Sequence, residues 1–212
     1  MDSKIDITKI PVLWITIESA KDRHEKMQSI FSKFGFQNTH QINGEILNKN
    51  GLSFVEIQTR KSALVADAHI KALQMFEPPF LILEDDVGVL DSYLKKEIDI
   101  PQDADCIYLG SSVWGMNNGQ SVQWGTKKTP FNKTYCLVRD MLGIHSIVYT
   151  SNAYIEATVK NLKHCNSIGQ YCDECIATDM KNHKVYCANY PMFFQDDGRN
   201  NLVTSMPMAD YR

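Results

Sequence analysis

The chain has 212 residues, 43% of them hydrophobic, with a formal net charge of −3 and a pI near 6.1. This is enough apolar material to bury a core as one domain, and the charge balance excludes a protein whose work is to coat nucleic acid, because no face has to be strongly basic. No long apolar run occurs, and MDSKIDITKIPVLWITIES has only a short apolar stretch behind a polar lead; neither membrane span nor signal peptide is expected, and a cytoplasmic location is.

Apolar runs alternate with amphipathic segments, the pattern of an α/β domain. Val12-Leu13-Trp14-Ile15-Thr16-Ile17 is continuous and β-branched and reads as a first strand. A helix follows, with Asp22 as its cap, Met27, Ile30, Phe31 and Phe34 at helical spacing, and Gly35 as its stop. Residues 36 to 42 read as a short strand, and SALVADAHIKALQMF, residues 62 to 76, as the best helix, with Ser62 at its N-cap. Behind Pro78 and Pro79, Phe80-Leu81-Ile82-Leu83 has the composition of a buried strand in a parallel sheet. Residues 106 to 110 form a further strand. Residues 111 to 134, polar and rich in Gly and Asn, hold Trp114 and Trp124 and read as a functional loop or a small hairpin insertion. Strands at 135–138 and 145–149, helices at 152–162 and 172–182, a strand at 185–187 and the final Pro191-Met192-Phe193-Phe194 complete the pattern. The domain is expected over residues 1–200, with 201–212 a tail at the cut edge of a longer polypeptide carrying further domains.

Six cysteines in a cytoplasmic chain are expected as thiols rather than bridges. Cys165, Cys172, Cys175 and Cys187 lie in one region with His164 and His183. That makes a zinc-stabilised interaction module a rival, although C-x6-C-x2-C-x11-C lacks paired C-x2-C knuckles.

The chemistry concentrates at Glu84-Asp85-Asp86, directly behind the apolar strand. Buried together, three carboxylates would repel one another and lose their hydration, so they need open water or a bound cation. Ligands in open parallel sheets gather beyond the carboxyl ends of the strands. Alternate residues of an extended chain share a side, so Glu84 and Asp86 can converge on one hard divalent ion while Asp85 faces elsewhere. A solvated acidic turn is the plainer alternative.

These stretches resemble a known family. ILEDDV behind an apolar strand is similar to the metal motif of nucleotide-sugar glycosyltransferases with the GT-A fold. VLWITIESAKDRHEKM is similar to the opening strand, loop and Arg of glycosyltransferase family 25, the lipooligosaccharide and collagen galactosyltransferase type. SALVADAHIKAL resembles that family's helix before the acidic motif, although Ala68 replaces its Ser and its Gly-Cys is absent. LGIHSIVYTSNAYIEATV resembles the later strand and helix, and YPMFFQDDGRNN the Tyr-Pro and Gln near the family's end. The chain is also similar to glycosyltransferase domains encoded by large algal viruses, which would place it in a host cytoplasm.

The resemblance implies a GT-A-like three-layer sandwich, with a central, mostly parallel mixed sheet flanked by helices. It also implies a UDP-sugar donor, a Mn2+ or Mg2+ ion, and a glycan or glycoprotein acceptor. Asp86 is then the expected direct metal ligand, with Glu84 acting through water or on the ribose and Asp85 orienting the sugar. Asp197, in Gln195-Asp196-Asp197-Gly198, can complete the coordination or form an exposed turn. Thr16, Ile17 and Glu18 offer backbone groups to the base, and Arg23 reaches the phosphates. Arg60, Lys61 and Ser62 stand where a helix N-terminus and two cations favour an anion; surface solvation is the alternative for Arg23 and Lys61. His69 reads as a packing residue, while His145 and Ser146 contact donor or acceptor sugar. If transfer inverts the anomeric centre, Asp173, which resembles the Asp opening the corresponding helix of family 25, takes the acceptor's proton; helix capping is its alternative. Trp114 and Trp124 offer a stacking platform for the acceptor. A non-enzymatic nucleotide or carbohydrate binder is the rival from another class, and a metal-dependent phosphatase or nuclease is disfavoured for want of further His and Asp ligands.

Overall fold

The computed structural model describes residues 3–196. In chain order the strands and helices are β1 (Ser3–Asp6), β2 (Val12–Ile17), α1 (Lys21–Phe34), β3 (Thr39–Gly44), α2 (Phe54–Leu73), β4 (Phe80–Glu84), β5 (Val87–Val89), β6 (Glu97–Ile100) and β7 (Cys106–Tyr108). They continue as β8 (Trp114–Asn117), β9 (Gln120–Gln123), β10 (Lys127–Pro130), β11 (Tyr135–Arg139), β12 (Ser146–Tyr149), α3 (Asn152–Ile168), α4 (Cys172–Asp179), β13 (Val185–Ala188) and β14 (Phe193–Gln195).

Eight strands form the central sheet in the order β10-β11-β13-β7-β12-β4-β2-β3. The pairings give six strands one direction, with β12 and β11 running against them. Successive residues of a strand point to opposite faces, and that rule divides the core. Val12, Trp14, Leu81 and Leu83 face α1, packing with Met27, Ile30, Phe31 and Phe34. Leu13, Ile15, Phe80 and Ile82 face α2 and α3, packing with Ala72, Leu73, Tyr154 and Leu162. Both faces are covered, which is why β2 and β4 are apolar without alternation. The expected α/β class and mixed sheet flanked by helices are what the chain forms.

Helix starts differ from the expectation. Helix α1 follows Ala20, and Asp22 lies in its first turn rather than capping it; there its charge still suits the helix dipole. Helix α2 begins at Phe54, not at 62: the Ser53 hydroxyl accepts from the Glu56 N–H and the Glu56 carboxylate accepts from the Ser53 N–H, a complete capping box. Ser62 is therefore buried inside the helix, more than two turns from its start. The free N–H groups expected near Arg60, Lys61 and Ser62 are already spent in helix bonds. The 111–134 stretch resolves into the β8–β9 hairpin, turned by Asn118 (φ 50°) and Gly119 (φ 77°), both left-handed as a primed two-residue turn requires, and the edge strand β10 of the central sheet.

The cysteine expectation is corrected in one pair: Cys165 at the end of α3 is disulfide-bonded to Cys175 in α4. Cys172 and Cys187 are separately buried thiols, so the four-cysteine zinc arrangement does not form. The bridge closes a separation of ten residues. Its loss in Cys175→Ser is expected to cost about 2–3 kcal/mol of unfolding free energy through the freed loop entropy. Urea denaturation with and without reductant measures this; coincident midpoints would contradict it. Among the described residues no helix is long and apolar enough to cross a membrane. Asp197 and the expected tail lie outside the described residues.

Candidate active site

Strand β4 delivers the acids to a fixed place. Its last residue, Glu84, is in register with Ile15 of β2, and its N–H donates to the His145 carbonyl at 3.0 Å. The Asp85 N–H donates to the Ile15 carbonyl at 3.0 Å, so both neighbouring strands pin the turn. Beyond this sheet edge opens a cavity of about 920 Å3. Glu84, Asp85, Asp86, Asp173, Lys61 and Arg23 all reach its wall.

The three consecutive acids have three different environments. Asp85 is buried with both oxygens engaged: Oδ2 accepts from Thr16 Oγ1 at 2.5 Å and Oδ1 from Arg23 Nη1 at 2.6 Å. Burial raises its carboxyl pKa, with Thr16 and Arg23 opposing. Asp85 and Asp86 lie in the turn beyond β4, so the expected alternation does not reach them: Asp85 lines the same cavity as Glu84 and Asp86, and its two bonds buttress β2 and α1 against the turn rather than leaving a free oxygen for a sugar. Glu84 meets His69 of α2, with Oε1 3.1 Å from Nε2. Burial raises the Glu84 pKa, and Asp86 and Asp173 add to the rise against His69. His69 is thus a packed residue, as expected, and also the partner of a site carboxyl.

Asp86 is held by the chain's later end. Its Oδ2 accepts from Gln195 Nε2 at 3.1 Å, and its carbonyl accepts from the Asp196 N–H at 2.6 Å. Asp196 in turn pairs with Lys26 of α1 at 2.7 Å. The expected approach of the second acidic cluster to this edge is therefore observed for Gln195 and Asp196. Asp86 Oδ1 is buried and, among the described residues, has no hydrogen-bond partner. A carboxylate oxygen left this way loses its hydration for nothing in return unless a ligand meets it.

Asp173 lies in the first turn of α4, with its pKa raised by burial and by neighbouring Glu174, while a hydrogen bond with the Gly143 backbone opposes. Its charge is felt at Glu84. Thr16 and Ile17 line the cavity, whereas Glu18 is exposed and is not among the lining residues. Lys61 and Ser62 line it from the α2 face; Arg60 is exposed away from it. The Ser62 hydroxyl accepts from the Cys172 N–H at 2.8 Å, which joins α2 to α4. His145 is only 3% exposed and neither ring nitrogen has a partner. Burial pushes its pKa down to about 4 against the pull of Asp86, so the ring is neutral near pH 7. It lies behind the wall, packed so closely on Gly110 that a Cβ there would come within 2.2 Å of Nε2. Trp114 and Trp124 are exposed on the hairpin and do not line the cavity.

Among the described residues no three His, Cys, Asp or Glu side chains form a ready-made metal cage. The donor set nevertheless fits a hard divalent ion of the Mg2+ type, which is usually held by one or two carboxylates and completed by substrate phosphates and water. Asp86, with its unpartnered buried oxygen, and the neighbouring Glu84 would supply that number.

No protein-family model matches the chain, and no curated protein matches it. Among solved structures it is similar to the crystal structure of a glycosyltransferase involved in the glycosylation of the major capsid of PBCV-1, with a TM-score of 0.36 and 14% identity, covering 74% of this chain and 67% of that one. A likeness this distant assigns neither an activity nor a ligand to the chain.

Proposed function

We propose that the protein is a glycosyltransferase that moves a sugar from a UDP-sugar to a glycan or glycoprotein acceptor, with Mn2+ or Mg2+ held by Asp86 and Glu84. The observation that carries this reading is the buried Oδ1 of Asp86, a cavity-lining residue, which has no hydrogen-bond partner among the described residues. Its position beyond the carboxyl end of β4 is where open α/β sheets bind nucleotides. Asp197 remains a candidate third ligand.

A divalent ion bound there would neutralise the charge developing on the departing diphosphate. The chain's own residues supply the rest. Arg23, fixed by Asp85, keeps part of its guanidinium toward the cavity and can meet a phosphate oxygen. Thr16 and Ile17 line the cavity wall against which the base would lie. In an inverting transfer, the acceptor oxygen bonds to the anomeric carbon as the bond to the diphosphate breaks with its electron pair, and Asp173 takes the acceptor's proton. Burial, which raises the Asp173 pKa, makes it a better base than an ordinary aspartate.

The test is a thermal-shift panel of UDP, GDP, CMP and their sugars with and without manganese, since a ligand of the native state raises its melting point. Manganese-dependent stabilisation by the uridine compounds is expected, along with slow metal-dependent hydrolysis of the UDP-sugar. Stabilisation without any hydrolysis would mark a binding domain instead, and no metal-dependent response to UDP would end the proposal.

A further inference from the structure

Among the described residues the cavity has a single aromatic side chain on its wall, Tyr171. Its side chain is 48% exposed. Among the described residues its ring has no aromatic partner, and its hydroxyl makes no hydrogen bond. Its backbone carbonyl and the flanking residues, by contrast, are tied down. The Gln170 N–H donates to the Cys165 carbonyl at 3.2 Å, and the Tyr171 carbonyl accepts from the Cys175 N–H at 3.4 Å. The Cys172 N–H is held by Ser62, and the Cys165–Cys175 bridge clamps the segment to α3. An aromatic ring left in water on an immobilised backbone is a preformed contact surface, because binding to it need not order the chain. Asp173 follows two residues later on the same wall. From α2, which Ser62 joins to this segment, the exposed Val65 also lines the cavity.

We propose that Tyr171 is the platform on which the sugar ring of the acceptor lies, so that the acceptor is a pyranoside with an apolar C–H face rather than a bare protein hydroxyl. This rests on the glycosyltransferase reading of the same cavity. A pyranose ring has one face of C–H groups that packs on an aromatic ring while its hydroxyls stay free to hydrogen-bond. Stacked on Tyr171, such a ring would hold one hydroxyl near Asp173, the positioning that converts an encounter into a reactive geometry. The platform expected of Trp114 and Trp124 is thereby reassigned to a residue that does line the cavity. The competing occupant of Tyr171 is the uracil ring of the donor.

Saturation-transfer NMR on the intact protein separates these cases. The probes are methyl β-D-galactopyranoside, methyl β-D-glucopyranoside and methyl α-D-mannopyranoside, each with and without UDP and manganese. The variants are Tyr171→Ala and Tyr171→Phe, with UDP affinity measured alongside. At least one glycoside is expected to contact the wild type and the Phe variant through its C–H face and to bind the Ala variant roughly three- to tenfold more weakly. Equal glycoside contact in the Ala variant, or none in the wild type, would overturn the proposal. So would loss of UDP affinity in the Ala variant with glycoside contact kept, which would assign the ring to the base. Tyr171-dependent glycoside contact in a protein blind to UDP would leave the platform standing and remove the donor reading instead.

Discussion

Asp86→Ala is expected to weaken manganese-dependent UDP binding on the order of 100-fold or more, since changing even an outer-shell partner of a metal ligand costs 10- to 100-fold in affinity. The fold should survive. Among the described residues the Asp86 side chain makes one hydrogen bond, from Gln195, whereas the backbone bond from the Asp196 N–H to its carbonyl does not depend on the side chain. The substitution also removes a buried oxygen with no partner, and deleting an unsatisfied polar atom does not cost stability in itself. Calorimetric titration of UDP with and without manganese, beside a urea melt, checks both halves. Unchanged UDP affinity in manganese would show that the open oxygen is not a ligand site.

The second large effect is expected at Asp173. If transfer inverts the anomeric centre, Asp173→Asn should lower turnover by about 10²- to 10⁴-fold, the usual contribution of a positioned base, while metal-dependent UDP binding persists. The pH profile is the sharper readout. A base works when deprotonated, so kcat/KM should climb as pH rises through the Asp173 pKa. Burial and Glu174 place that pKa above the ordinary aspartate value, so the limb should lie above the pH where an exposed aspartate, near 3.9, titrates. It should vanish in the Asn variant. A variant that keeps both the rate and the limb would remove Asp173 from the chemistry and favour a retaining transfer.

Much of this arrangement was legible in the chain's pattern. The runs at Val12–Ile17 and Phe80–Glu84 announced doubly covered strands, and the sharp change to Glu84-Asp85-Asp86 announced a sheet edge. Period-two alternation ends at Glu84, because Asp85 and Asp86 lie in the turn beyond β4 and all three acids line one cavity. The true start of α2 carries its own signal, the Ser53-x-x-Glu56 capping box, which exposed Phe54 and Val55 mask by breaking the apolar stripe, so that periodicity points to 62 instead. Asn118-Gly119 likewise signalled the hairpin turn. Other features had no local signal. Cys165 and Cys175 belong to different helices and meet only once α3 and α4 pack. The His69–Glu84 contact depends on how α2 lies on the sheet. The short polar strand β1 owes its existence to pairing with β6. The reversed direction of β12 leaves no trace in its own residues.

That reversal has a bearing on how the molecule can diversify. Because β12 descends where β4 ascends, the chain enters beside the acids from residues 140–142, which bond to β8 of the hairpin insertion (the Met116 N–H to the Asp140 carbonyl at 2.7 Å, the Leu142 N–H to the Trp114 carbonyl at 2.8 Å), and the His145 carbonyl accepts from the Glu84 N–H on entry. Lengthening or trimming that insertion would be transmitted to the cleft floor within a few residues, letting new substrate preferences arise from loop remodelling while the eight-stranded scaffold stays as it is.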